Sequence, residues 1–170
     1  MRLNDTVRQM TNSDAYPEGV AVTFSSTAAL ASASTNGIKY FGKFTLQVHG
    51  DGPVSLLLAD ITSAGEIRGY ARHNCENLNS TEKCGAFVPR LLGNGQLAFF
   101  MDQGPDKNRC QGITELIGSS LADCARACFR DSEQQDTMII LGSDIGQEKY
   151  PVAAGLMTQK TPDQPIDLKI

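Results

Sequence analysis

The chain has no tryptophan and only two histidines, His49 and His73. Acid–base and metal chemistry near neutral pH lean on histidine, so both classes start short of side chains. Basic clusters are missing as well. No run of Lys or Arg is longer than two, and 15 basic residues stand against 19 acidic ones, a net charge of −4. A nucleic-acid binder carries a basic stripe, so no nucleic-acid partner is expected. Apolar runs are short, such as 56–59 and 97–101, whereas a membrane helix needs about 20 residues, so no membrane partner is expected either. Met1-Arg2-Leu3-Asn4-Asp5 lacks the apolar stretch of a secretory signal. Five cysteines are an odd count, which argues against a secreted disulfide framework. The expected location is the cytoplasm.

What is present is an ordinary globular balance. Of 170 residues, 41% are apolar and 20% charged. That length predicts one domain and burial of roughly 70% of the unfolded surface. Val20, Phe24, Ala28, Ala31 and Ile38 recur at about helical spacing in a stretch rich in Ser, Thr and Ala. Small side chains let a helix approach its neighbours closely, so this one is expected inside the fold. Pro17 suits its first turn and Asn36-Gly37 its end.

The period then changes to two. Phe44-Thr45-Leu46-Gln47-Val48-His49 alternates as a half-buried strand does. Turn clusters at 50–53 and 62–65 separate it from strands at 54–61 and 66–72, which makes an antiparallel meander. Residues 73–90 read as a long surface loop. Further strands are expected at 96–102, 109–116, 137–141 and 151–157. Ser119-Ser120 caps a helix over 121–133. The fold class is α+β, with antiparallel sheets packed on helices and the Ser/Thr/Ala-rich helix buried. Residues 161–170, with Pro162 and Pro165, read as an extended tail.

The possible chemical motifs give way to plainer readings. Cys124 and Cys128, at i and i+4, share a helix face as two metal ligands would. Structural zinc wants four ligands, however, and both positions fit a core-facing stripe with Leu121, Ala125 and Phe129, so buried thiols are preferred. Cys75 and Cys84 flank the loop beside His73. A redox pair is one reading, but cytosolic thiols stay reduced. Gly50-Asp51-Gly52-Pro53 is followed by a strand rather than by the helix N-terminus that a phosphate needs. No G-x-S-x-G or comparable nucleophile motif accompanies either histidine, so no catalytic residue is assigned. A deep polar pocket holding His49 or His73 would favour an enzyme.

The apolar pattern says more. If the first hairpin pairs His49 with Val54, then Gln47 pairs with Leu56 and Thr45 with Leu58. Phe44, Leu46 and Val48 then share a face with Leu57 and Ala59, and a one-residue slip would exchange the faces. Leu97-Ala98-Phe99-Phe100-Met101 is apolar on both sides. The sheet therefore has more apolar surface than one core layer requires. Either a second layer covers that face, the preferred reading, or it is left exposed for a partner.

A family resemblance rests on the ordered set 41–54, Ile67-Arg68-Gly69-Tyr70-Ala71, Leu91-Leu92-Gly93-Asn94-Gly95, Asp102-Gln103-Gly104, Gln111-Gly112-Ile113 and Phe129-Arg130-Asp131-Ser132-Glu133-Gln134. Together these resemble the N-terminal domain of the redox-regulated heat-shock chaperone family, the thirty-three-kilodalton chaperonin. The resemblance spans about Tyr16 to Gln159. It implies an ATP-independent holdase for proteins unfolding under oxidative or heat stress. It also implies a C-terminal module that holds zinc through C-x-C and C-x-x-C cysteines and opens on forming disulfides. Cys75, Cys84, Cys110, Cys124 and Cys128 have neither spacing, and 73–90 departs from shorter members as an insert. The expectation is a client-binding domain over 1–160, the start of a linker at 161–170, no zinc or other cofactor in this chain, and zinc in a switch domain absent from it. Expected partners are unfolded or partly folded clients, with room for a homodimer. Leu56, Leu58 and Phe100 are the candidate client-binding residues. A dimerisation or scaffold module, with clients bound elsewhere, is the alternative.

Overall fold

The computed structural model describes residues 1–12, 16–35, 40, 42–74, 88–102, 110–134, 136–146 and 150–159. Helix α2 (Glu18–Thr35) is buried along almost its whole length, from Val20 to Ser34. A helix that is buried all round needs cover on every side. One side meets a five-stranded antiparallel sheet of β1 (Lys43–Gly50), β2 (Val54–Thr62), β3 (Ile67–His73), β4 (Gly95–Asp102) and β5 (Cys110–Glu115), in the order β3-β2-β1-β4-β5. The other side meets the antiparallel pair β6 (Thr137–Ile145) and β7 (Pro151–Gln159). The expected α+β class and buried small-residue helix are both found.

The small residues of α2 explain how it fits. Gly155 of β7 sits against the Ala29 carbonyl, and Gly69 of β3 against the Phe24 ring. The buried hydroxyls stay satisfied within the helix. Ser25 donates to the Ala21 carbonyl at 2.7 Å, Thr27 to Thr23 at 3.0 Å and Ser34 to Leu30 at 2.9 Å. Such back-bonding removes the cost of an unpaired buried hydroxyl. Ser26 reaches out instead, to the Ser143 hydroxyl of β6 at 2.5 Å.

Helix α4 (Leu121–Glu133) begins as expected. Ser120 accepts from the Asp123 amide, and the Asp123 carboxylate accepts from Ser120 N–H, a capping box. Its Phe129 ring stacks on Phe99 of β4, which stacks on Phe44 of β1, with centroids 5.4 and 6.2 Å apart. Helix α1 (Asn4–Asn12) has no clear sequence signal. Val7, buried against Ala28, Ala29 and Ala153, holds it to the α2–β7 junction. The short α3 (Val88–Leu91) closes the expected 73–90 loop; positions 75–87 lie outside the described residues, Cys75 and Cys84 among them, as do Asn36, Gly37, Ile38 and 161–170.

The hairpin register differs from expectation by two residues. His49 pairs with Leu56, Gln47 with Leu58 and Thr45 with Asp60. Residues 51–53 sit between the strands because they dock the turn before β4: Asp51 N–H bonds the Asn94 carbonyl and Gly52 N–H the Leu92 carbonyl, both at 2.9 Å. A bulge between Val54 and Leu56 in the β2–β3 ladder lies at the same end. A shift of two preserves the faces. Phe44, Leu46, Val48, Leu57 and Ala59 all point inward and are buried. Among the described residues, the preferred second covering layer is not found on the other face, where Tyr70 and Ile113 are 49% and 52% exposed.

The α2–β7 approach is directly testable. A Cβ at position 155 would lie 2.9 Å from the Ala29 carbonyl oxygen, while one at 142 meets nothing within 4 Å. Gly155→Val should cost about 1–3 kcal/mol through overpacking, read as a lower urea midpoint with unchanged slope. Gly142→Ala should shift stability by less than about 0.5 kcal/mol.

Candidate functional site

Strand register determines what the open face of the five-stranded sheet displays. One ladder crosses all five strands as Tyr70, Leu58, Gln47, Ala98 and Ile113. Beside it run Arg68, Asp60, Thr45, Phe100 and Gln111 on one flank, and Arg72, Leu56, His49, Gln96 and Glu115 on the other. Four strand spacings make the central ladder about 19 Å long. Leu58 and Phe100 are half-buried and share a hollow of about 350 Å³ with Lys43, Gln47 and Asp60. Leu56 lies one ladder away, between Arg72 and His49, outside that hollow. Two of the three candidates are thus brought together and the third is set apart. Tyr70 and Ile113, the exposed ends of the ladder, are not among the candidates. Their signal is the alternation of β3 and β5, which becomes readable only once the order of strands is known.

Asp60 anchors the face. Its side chain is 6% exposed. Thr45 donates to Oδ1 at 2.6 Å, and Arg68 Nη2 and Lys43 Nζ approach Oδ2 at 2.9 and 3.3 Å. Burial pushes its pKa up, but Thr45, Arg68 and Lys43 outweigh burial and hold the carboxyl below its ordinary value. The cluster joins β1, β2 and β3 at one point.

A second apolar patch lies on the outer face of the β6–β7 pair. Ile140 and Leu156 are directly paired, and with Met138 they are between 52% and 55% exposed.

The catalytic alternative finds weak footing. His49 does line an open groove of about 570 Å³ with Asp51, Gln96 and Glu115, and among the described residues no Ser, Thr or Cys lines it. Its Nε2 lies 3.3 Å from Gln47 Oε1, and the Asp51 carboxylate is taken by the Asn94 amides. His73 sits elsewhere, edge-on to Tyr16.

Cys124 and Cys128 are buried in the main core. Cys124 Sγ donates to the Ile117 carbonyl at 3.4 Å, and burial, helped by the charge of Asp123, pushes its pKa up to about 11. Among the described residues, no three His, Cys, Asp or Glu side chains converge. These two thiols therefore do not fit a zinc centre, which needs four ligands in deprotonated form.

Two measurements follow from these environments. At pH 8 only about one Cys124 in a thousand is the reactive thiolate. Alkylation followed by peptide mapping should leave Cys124 and Cys128 unlabelled in the native chain and label both in urea. For Asp60 the folded pKa is depressed, so its ionised form contributes stability above about pH 3.9 that fades as pH falls through the folded pKa. Asp60→Asn should thus be destabilised at pH 7, with the gap to the parent chain narrowing below pH 4 in urea titrations.

The family model described as Hsp33 protein matches residues 1–169. The 33 kDa chaperonin of Caulobacter vibrioides is 34% identical over 166 residues, covering 94% of this chain and 54% of the relative. That of Azotobacter vinelandii is 37% identical over 147 residues, covering 86% and 46%. This chain spans about half the length of the curated relatives it matches. The crystal structure of the 33 kDa chaperonin of Thermotoga maritima shares the fold, with a TM-score of 0.80 at 24% identity, over 92% of this chain and 53% of that one. On the family match over nearly its whole length, the chain belongs to the Hsp33 family.

Proposed function

We propose that this chain is the client-holding domain of an ATP-independent chaperone acting on proteins that unfold under heat or oxidative stress in the cytoplasm. The observation that carries this reading is the ladder Tyr70–Leu58–Gln47–Ala98–Ile113, apolar but for Gln47 and exposed at its two ends, on a sheet whose inner face is already filled. A holdase has to recognise apolarity rather than a sequence. The strip offers contact area without catalytic geometry. Each buried aliphatic or aromatic side chain contributes roughly 1.5–3 kcal/mol, so a few such contacts reach the ~8 kcal/mol of micromolar binding after ordering costs. Micromolar affinity also lets clients leave without nucleotide hydrolysis. Both glycine turns lead into strands, 50–53 into β2 and 93–94 into β4, which suits a protein that cradles no phosphate. Regulation by a cysteine–zinc switch, with disulfides formed on oxidation, is assigned to sequence outside this chain. So is the zinc itself.

A second reading is favoured by the β6–β7 patch. Met138, Ile140 and Leu156 present a compact apolar surface of the kind that pairs subunits. In that case clients bind elsewhere and this domain is a dimerisation module.

One experiment separates the two. Aggregation of a heat-denatured client is followed by light scattering at several-fold excess of this chain, without ATP or oxidant. The parent chain is expected to suppress scattering, Leu58→Asp combined with Ile113→Asp to lose most of that effect, and Ile140→Asp to keep it. Suppression that survives the first pair of changes and vanishes in Ile140→Asp would overturn the client reading of the strip.

A further inference from the structure

The strip differs in charge at its two ends. Strand β3, at one edge, turns Arg68, Tyr70 and Arg72 to the open face, and all three are exposed. Arg68 is partly committed to Asp60. Among the described residues, the Arg72 side chain donates from Nε to the Ser55 hydroxyl at 3.1 Å and meets no carboxylate. Arg72 and Tyr70, two positions apart on β3, belong to the same exposed strand face. At the opposite edge, β5 carries Glu115 on the same flank as Arg72.

We propose that this face selects its clients by charge as well as apolarity: it takes an extended apolar segment with carboxylates at one end, the apolar part lying along the ladder and the acidic end held by Arg72 with Arg68 beside Tyr70. The proposal rests on the client reading above and specifies the class of client. Its physical basis is complementarity. A guanidinium with no carboxylate partner among the described residues, on the same strand face as an aromatic side chain, is a strong carboxylate-binding site, because it can donate two charge-assisted hydrogen bonds beside apolar surface. Tyr and Arg are also the residue types that dominate binding energy at protein surfaces. The dimensions agree. A strip of about 19 Å matches about six residues of extended chain at ~3.3 Å each. An acidic pair following such a sextet falls at the β3 edge. A lysine pair there would meet two like charges and be repelled.

The test uses this chain and three fluorescein-labelled peptides with one common apolar sextet, ending in two Glu, two Gln or two Lys. Affinities are measured by anisotropy at low ionic strength and in about 0.5 M NaCl, where the screening length falls to a few ångströms. The Glu peptide is expected to bind about three- to tenfold more tightly than the Gln peptide, the sum of one or two exposed ion pairs, and the Lys peptide more weakly than both. High salt and Arg72→Gln should each close most of the Glu–Gln gap. Equal binding of the Glu and Gln peptides overturns the charge selection while the client strip stands. A gap that persists in Arg72→Gln overturns the assignment to the β3 edge. Binding of none of the three overturns the client reading and this proposal with it. If Arg72→Gln changes the sedimentation coefficient but no peptide affinity, the face belongs to a second copy of the chain, and the proposal is likewise overturned.

Discussion

Everything in this domain is arranged around the close seating of α2 between two sheets. A helix enclosed on both sides has no solvent stripe, so its side chains must be small or apolar all the way round, and its polar atoms must find partners without water. Alanine and glycine contacts at Ala29–Gly155 and Phe24–Gly69 set how near the layers come. Serine and threonine fill the remaining positions because they are small and can return their hydroxyl protons to the carbonyl one turn back. Larger side chains would part the layers, and larger polar ones would carry donors with nothing to meet.

That seating has a consequence for the outer surface. Once α2 and α4 fill the inner face of the five-stranded sheet, residues of the opposite parity have to face outward. The alternation that buries Phe44, Leu46 and Val48 therefore also turns Gln47, Leu58 and Tyr70 to the opposite face, where Tyr70 is exposed. A surface made this way has its backbone held by strand hydrogen bonds and a packed core. The Asp60 cluster adds lateral ties among β1, β2 and β3 at the same place. On the client reading proposed above, such a surface would leave conformational freedom to be lost only by the client.

Much of this was legible in the sequence, and the reasons are specific. The α4 boundaries follow from Ser120 and Asp123, a local signal that needs no tertiary context. The β1–β3 meander follows from two-residue alternation and glycine-rich turns. Helix α1 was not legible, since Val7 is its single fully buried apolar side chain and its partners Ala28, Ala29 and Ala153 lie far along the chain. The two-residue register offset was hidden for a related reason: residues 51–53 are held by Leu92 and Asn94 of a distant turn. Of the candidate residues, Leu58 and Phe100 come together because Gln47 and Thr45 are neighbours on the β1 strand between them. Leu56 is carried off by the same offset.

The absences that introduced this chain now have clearer meaning. Of the five cysteines, Cys124 and Cys128 are sunk into the core. By itself the sequence determined the strands, helices α2 and α4, the parity of each strand and the burial of a small-residue helix, because these depend on neighbours within one or two turns of chain. Only the tertiary structure decided which strands are adjacent, which face stays uncovered and which side chains meet on it. Those outcomes depend on contacts between segments tens of residues apart, and on α2 filling one face and thereby leaving the other open.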